Sequence, residues 1–238
     1  MRVTLLTHSK LSEQAKELLG GKLNEYQVTD AQVASLACIR QCYSHKTAFE
    51  VLESEFDKYF GEKGQEGKRL MNHIVKSGHT STLESCHFSF AVEGVSRALL
   101  AQLTRHRQLS FSVQSQRYNK FSSDSRSGGF DYVIPETVKN KGYDAVYEYK
   151  FMLSTIQEQY DRLIELGIPQ EDARSVLPNA ATCNLVTSGN LRAWLEFYKK
   201  RKKGEGAQHE ITVFAEHIKN AIIEVEPWTA DYFELEGK

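Results

Sequence analysis

The sequence lacks several features, each of which would have fixed its class at once. No apolar run approaches the roughly 18 residues a membrane-spanning helix needs. The opening MRVTLLTHSK passes straight from a short strand pattern to polar positions, so a soluble, cytoplasmic protein with no membrane partner is expected. Cysteine is scarce: Cys38, Cys42, Cys86 and Cys183 lack the dense spacing of a disulfide scaffold and are expected to be reduced thiols. Net charge is almost absent, 30 basic residues against 31 acidic ones, so no whole-chain field draws the protein onto nucleic acid. Also missing are a Gly-rich phosphate loop, a dinucleotide GxGxxG, a metalloprotease HExxH and a GxSxG elbow. A bound nucleotide must therefore be held by side chains. Covalent catalysis by serine or cysteine has no supporting motif, which favours a cofactor that supplies the reactivity.

What is present is an ordinary globular composition: 238 residues, 40% apolar and 26% charged, enough for a core of its own. The expectation is one α+β domain spanning residues 1–238, helices packed around a mixed or antiparallel sheet. Val3 to Thr7 reads as a strand, and Ser9 or Ser12 as the cap of a helix that Gly20 and Gly21 end. A helix from Asp30 carries Val33, Leu36 and Ala37. Cys38, Cys42 and His45 follow at helical spacing; with no second Cys/His cluster, a buried helix face is favoured over a metal site. Phe49, Leu52, Phe56 and Phe60 stripe a third helix, and Leu70, His73, Ile74 and Val75 a fourth, with His73 read as packed.

From Leu83 to Val92 the period becomes two, with Phe88, Phe90 and Val92 on one face. Glu93 and Gly94 read as a turn and Ser96 as the cap of a helix carrying Val95, Leu99 and Leu103 inward. Gln102 and Arg105 lie three residues apart on a neighbouring face. Tyr149, Leu153, Ile156, Tyr160 and Leu163 mark a long helix, Thr182 to Thr187 a short strand, and Asn190 a cap. The helix after it carries Leu191, Trp194, Leu195 and Tyr198, and by phase Arg201 inward, while Lys199, Lys200, Lys202 and Lys203 face solvent. Gln208, Ile211, Phe214, Ala215, Ile218, Ile222 and Val225 lie on one side of the last expected helix, which Pro227 stops. Ser122 to Phe130 is the most loop-like stretch, a candidate lid.

The chemistry concentrates in Arg105 to Tyr118, RHRQLSFSVQSQRY. Arginine is rarely buried unpaired, whereas arginine forks and hydroxyls suit phosphates, carboxylates and flat heterocycles. Between Arg97 and Arg126 six basic residues face one acid, Asp124, so an anionic ligand is expected here. Ser110, Ser112 and Ser115 are short donors, and Ser115 has no local base to make it a nucleophile. Phe111 and Tyr118 beside these arginines would also suit a nucleic-acid-binding module; the neutral charge and the missing recognition motif count against it.

At these residues the sequence resembles the flavin-dependent thymidylate synthases, whose signature is RHR, about seven residues, Ser, then Arg two further on: here Arg105-His106-Arg107, Ser115 and Arg117. Further agreement lies in Gly78-His79-Thr80-Ser81 with Leu83-Glu84, the FSFAVEGVSRA run, Arg174 before Leu177-Pro178, Asn190-Leu191-Arg192, Arg201, and Ala207-Gln208 with Glu210. It covers Met71 to Trp228 and, more weakly, the N-terminal third. The resemblance implies reductive methylation of dUMP to dTMP, with methylenetetrahydrofolate as carbon donor, FAD reduced by NADPH, and no enzyme nucleophile. By position it implies FAD contacts at Ser81, Arg105, His106, Arg107, Asn190 and Arg192. For dUMP it implies Gln102, Arg105, Ser115, Gln116, Arg117, Arg174 and Arg201, the last stabilising the pyrimidine as its N3 proton is lost. It further implies a homotetramer with shared active sites. Three positions depart from common family residues: Val113 for Glu or Gln, Ser85 for His, and Glu196 for Asn. The main alternative is the noncatalytic nucleic-acid-binding module, and a second is a flavoprotein of another specificity, such as an oxidase acting on a different nucleotide.

Overall fold

The structure, a computed structural model, describes residues 1–61 and 65–234. Four strands, β1 (Arg2–His8), β2 (His87–Ser96), β3 (Ser110–Val113) and β4 (Thr182–Asn190), form a sheet in the order β1-β2-β4-β3. The sheet is antiparallel. Register shows it directly: the Ser9 N–H donates to the His87 carbonyl at 3.0 Å at one end of the β1–β2 pair, while Gly94 faces Met1 at the other. Beyond the ends of the β2–β4 pair, Arg97 N–H donates to Ala181 and Leu191 N–H to Cys86. The α+β class with an antiparallel sheet is thus observed.

Contacts divide the chain into two compact units: Met1–Thr4, Ala91–Thr187 and Lys203–Phe214 in the first, and Leu5–Phe90, Ser188–Lys202 and Ala215–Lys238 in the second. The first has a core of Phe121, Phe130, Leu153, Tyr160, Ala173 and Ala181, built around the long helix Tyr143–Glu165. Its predicted loop, residues 122–130, is tied down: Ser123 donates through N–H and Oγ to Asp161, and Phe130 N–H donates to Gln157 Oε1 at 2.9 Å.

The second unit packs the helices Asp30–Tyr43, Ala48–Phe60 and Gln65–Lys76 around Val33, Leu36, Phe56, Phe60 and Met71. Thr29 and Thr47 each close a capping box at a helix start. Its other centre is Trp194, whose ring stands edge-on to Phe90 at 5.2 Å and to Phe197 at 5.9 Å between centroids.

Several expectations are corrected. β2 begins at His87, preceded by a 3₁₀ turn at Thr80–Leu83, and it runs through Glu93 and Gly94 instead of turning there. Gly94 absorbs a left-handed step, φ +67°, inside the strand, and its N–H goes to the Asn184 side chain. Val95 is consequently buried from β2, not from the helix. His73 is exposed, because Gln65–Lys76 buries Gly67, Met71 and Ile74 and residue 73 is out of phase with them. Phe49 is exposed in the first turn of its helix. Cys42 is exposed in the last turn of Asp30–Tyr43 and Cys38 half-buried, so neither belongs to the buried face. Among the described residues no His/Cys/Asp/Glu group could hold a metal, and no helix is long and apolar enough to cross a membrane. Lys202 is half-buried, and Phe197 widens the stripe on its helix.

Candidate active site

In the first unit, the arginine segment hangs between two buried leucines. Ser96 Oγ accepts the Leu99 N–H at 3.0 Å and caps the helix Arg97–Leu103, and Ser96 itself is gripped by Glu210 through N–H (2.8 Å) and Oγ (2.5 Å). The helix stops at Leu103 with Thr104 as cap, so Arg105 lies beyond it and does not share a helical face with Gln102. A tight turn follows, His106 N–H donating to Leu103 and Leu109 N–H to His106, both at 3.0 Å, with Leu103 and Leu109 buried. Arg105 and Arg107 project from this turn, exposed, and neither makes a hydrogen bond or ion pair with any described residue. His106 is half-buried.

The next residues form β3, which the sequence analysis did not find. Ser110 and Ser112 are exposed while Phe111 and Val113 are half-buried, a period-two alternation only four residues long. At its end Arg97 Nη2 donates to the Gln114 carbonyl at 3.0 Å, and Gln114 exchanges bonds with Asn184. This holds the chain just before Ser115.

Ser115, Arg117 and Arg174 are brought together. Ser115 Oγ accepts the Arg117 N–H at 3.1 Å, which leaves its own proton available to a ligand. Arg117 Nε donates to Glu171 Oε2 at 3.0 Å, and Nη2 lies 2.9 Å from the same oxygen in an ion pair. Arg174 Nε donates to the Glu171 carbonyl at 3.0 Å, and the Gln170 side-chain amide donates to the Arg117 carbonyl. Gln102 Nε2 donates to Gln208 Oε1 at 2.6 Å, and Gln116 is half-buried. Gln170 and Glu171 went unrecognised in the sequence analysis as members of this group. A pocket of about 520 Å³ in the same unit, bordered by Ser96, Pro135, Tyr149, Gln208 and Glu210, contains none of the predicted site residues.

In the second unit, Asn190 Oδ1 accepts the Ala193 N–H at 2.8 Å and starts the helix Leu191–Arg201. The cap uses the oxygen of Asn190 and leaves its NH₂ group for a ligand. Arg192 is doubly paired, Nη1 to Glu84 Oε1 at 2.7 Å and Nε to Glu196 Oε1 at 3.1 Å. The hydrogen bond to Glu84 first, then that to Glu196, pushes its pKa up. Glu196 is therefore committed to Arg192. Ser81 is exposed on its 3₁₀ turn. Arg201 ends the helix half-buried, as its phase predicts, seven residues beyond buried Trp194 and three beyond buried Tyr198.

The two buried thiols are poor nucleophiles. Cys86 and Cys183 are buried, and desolvation pushes the pKa of each up. At pH 8 a thiol-alkylating reagent is expected to modify Cys42 in the native protein and to spare Cys86 and Cys183; peptide mapping by mass spectrometry reads this directly.

The family model described as thymidylate synthase complementing protein matches residues 22–228. A flavin-dependent thymidylate synthase of Haloarcula marismortui is 34% identical over 211 residues, 80% of this chain and 84% of its own. One of Geobacter sulfurreducens is 34% identical over 199 residues, 83% and 80% of the two chains. One of Clostridium tetani is 31% identical over 224 residues, 87% and 83%. With a match of that extent over the segments that carry the arginines, the chain belongs to the thymidylate synthase complementing protein family, the flavin-dependent thymidylate synthases, and is an enzyme of that type.

Proposed function

We propose that this enzyme methylates dUMP reductively to dTMP, taking the one-carbon unit from methylenetetrahydrofolate, with FAD as its flavin and NADPH as the reductant. The observation that carries this reading is the pair of exposed guanidiniums at Arg105 and Arg107, without a hydrogen-bond or ion-pair partner among the described residues and two residues apart on a turn pinned by Leu103 and Leu109. Exposed arginines without carboxylate partners suit the diphosphate of a dinucleotide.

FAD, when bound, supplies the electrons that reduce the transferred carbon to a methyl group. Arg105, His106 and Arg107 would hold it, together with the hydroxyl of Ser81, the free amide NH₂ of Asn190 and Arg192. Gln102, Ser115, Gln116, Arg117 and Arg174 would hold dUMP, and Arg105 would touch both ligands. Arg201 would sit beside the pyrimidine. Loss of the N3 proton spreads negative charge over the ring and makes C5 the better nucleophile, and a guanidinium stabilises that charge as it develops. The buried, high-pKa thiols and a Ser115 hydroxyl without a base support chemistry in which the protein attacks nothing. The reading takes the whole chain as one domain, a homotetramer sharing its sites between subunits, in the cytoplasm.

The test is NADPH oxidation by the FAD-loaded protein with dUMP and methylenetetrahydrofolate, scoring dTMP. Stoichiometric dTMP supports the reading. A protein that takes up no FAD and instead binds oligonucleotides with steep salt dependence overturns it. Ser115→Ala is expected to weaken dUMP binding roughly tenfold, the scale of one charge-assisted hydrogen bond, with turnover retained at high dUMP. Loss of all chemistry with binding intact would instead make Ser115 the nucleophile.

A further inference from the structure

Among the described residues, Glu171 meets two of the arginines proposed to hold the nucleotide, Arg117 through its carboxylate and Arg174 through its backbone carbonyl. The way it is bonded is informative. Arg117 donates from Nε to Glu171 Oε2 at 3.0 Å, and its Nη2 lies 2.9 Å from the same oxygen in the ion pair. A carboxylate oxygen held there occupies the place that an oxygen of a phosphate can take. Arg174 reaches the same residue only at its backbone, Nε to the Glu171 carbonyl at 3.0 Å, and its guanidinium has no carboxylate partner among the described residues. The peptide backbone around Arg117 is anchored separately: its N–H goes to Ser115 Oγ and its carbonyl receives the Gln170 amide. The ion pair can thus exchange without moving the chain that carries it.

The geometry points to Glu171 as a resident stand-in for the substrate's phosphate, neutralising Arg117 in the free enzyme and giving way when the nucleotide arrives. The inference rests on the reading that Arg117 and Arg174 bind the phosphate of dUMP. Both partners are about half exposed, 53% for Arg117 and 50% for Glu171, and a pair that open to water contributes little, so displacement is easy. A phosphate monoester near pH 7 carries close to two charges and more oxygens than one carboxylate, so it can take Arg117 and Arg174 together. Glu171 then becomes a like charge beside a dianion, and its presence weakens binding. It acts through Arg117 and is a positioning residue, not a catalytic one. Its consequence is selectivity by charge, because an anion weaker than a phosphate monoester gains little by replacing a carboxylate already in place.

The experiment measures dissociation constants for dUMP and for deoxyuridine, which lacks the phosphate, on the FAD-loaded protein by calorimetry. Three proteins are compared: wild type, Glu171→Gln and Arg117→Ala. Glu171→Gln keeps the shape and removes the charge at a half-exposed position, and flavin absorbance verifies that each variant is loaded. The expected result is dUMP bound about threefold to tenfold more tightly by Glu171→Gln, the scale of relieving one like-charge contact at a partly exposed site, with deoxyuridine unchanged. If Arg117→Ala weakens dUMP while Glu171→Gln binds it equally or more weakly, Glu171 merely orients Arg117 and this inference falls, with the site reading intact. Equal tightening of dUMP and deoxyuridine overturns it too, since the effect would not run through the phosphate. If Arg117→Ala leaves dUMP affinity untouched, the phosphate reading of Arg117 fails, and Glu171 with it.

Discussion

Arg201→Ala is expected to lower dTMP formation by about 10²–10³-fold, the loss typical of removing a preorganised group that stabilises developing charge, while the purified protein still takes up FAD. The residue is suited to such a test. It closes the helix Leu191–Arg201, and the next N–H, that of Lys202, bonds back to the Tyr198 carbonyl at 2.7 Å, a backbone bond that the alanine variant keeps. The predicted flavin contacts Asn190 and Arg192 lie at the opposite end of the same helix. Arg201→Lys separates charge from shape: it retains the cation but loses the planar fork, and should fall between wild type and alanine. Turnover is read as dTMP per enzyme at saturating dUMP, and flavin content by absorbance. Near-wild-type turnover in Arg201→Ala would remove the residue from the mechanism.

Trp194→Ala should cost about 3–5 kcal/mol of stability, the range for deleting a large buried aromatic. Trp194 has no exposed surface, stands edge-on to two phenylalanines, and donates its indole N–H to the Gly189 carbonyl at 3.1 Å. The alanine variant loses the packing and leaves that carbonyl without its donor. For a chain of this length each kcal/mol moves the melting temperature by roughly 2–4 °C, so a drop on the order of 10 °C is expected in a thermal scan. Trp194→Phe keeps a ring in the core and should recover most of it. A shift of only one or two degrees for Trp194→Ala would mean that the helix carrying Asn190, Arg192 and Arg201 is held by something other than this cluster.

Local chemistry was the legible part of this chain. Ser96 and Asn190 read as caps in the sequence, and each accepts the expected N–H; of the alternatives Ser9 and Ser12, it is Ser12 that caps the first helix. The alternation Phe88, Phe90, Val92 gave a buried strand face, and the phase of Arg201 gave its half-buried position. Phase also explains the error at His73, where an apolar neighbourhood in sequence was taken for a buried one in space. β3 escaped because four residues in a polar stretch carry too little hydrophobic signal. The candidate site was legible in its residue types but not in its pairings. Arg117 meets Glu171 across 54 positions, Arg192 meets Glu84 across 108, and nothing in the order of residues distinguishes these from Arg105 and Arg107, which pair with none of the described residues.

Because β3 lies between Arg107 and Ser115, the distance separating the two halves of the arginine motif is a backbone property rather than a side-chain one. Leu109 fixes where the strand begins, and the bonds between Gln114 and Asn184 fix where it ends. With Leu109 holding the start, one residue inserted within Ser110–Val113 would move every strand residue after it to the opposite face, turning Val113 toward solvent. Substitutions on the exposed serines leave that alternation untouched. This segment therefore tolerates change of composition far better than change of length.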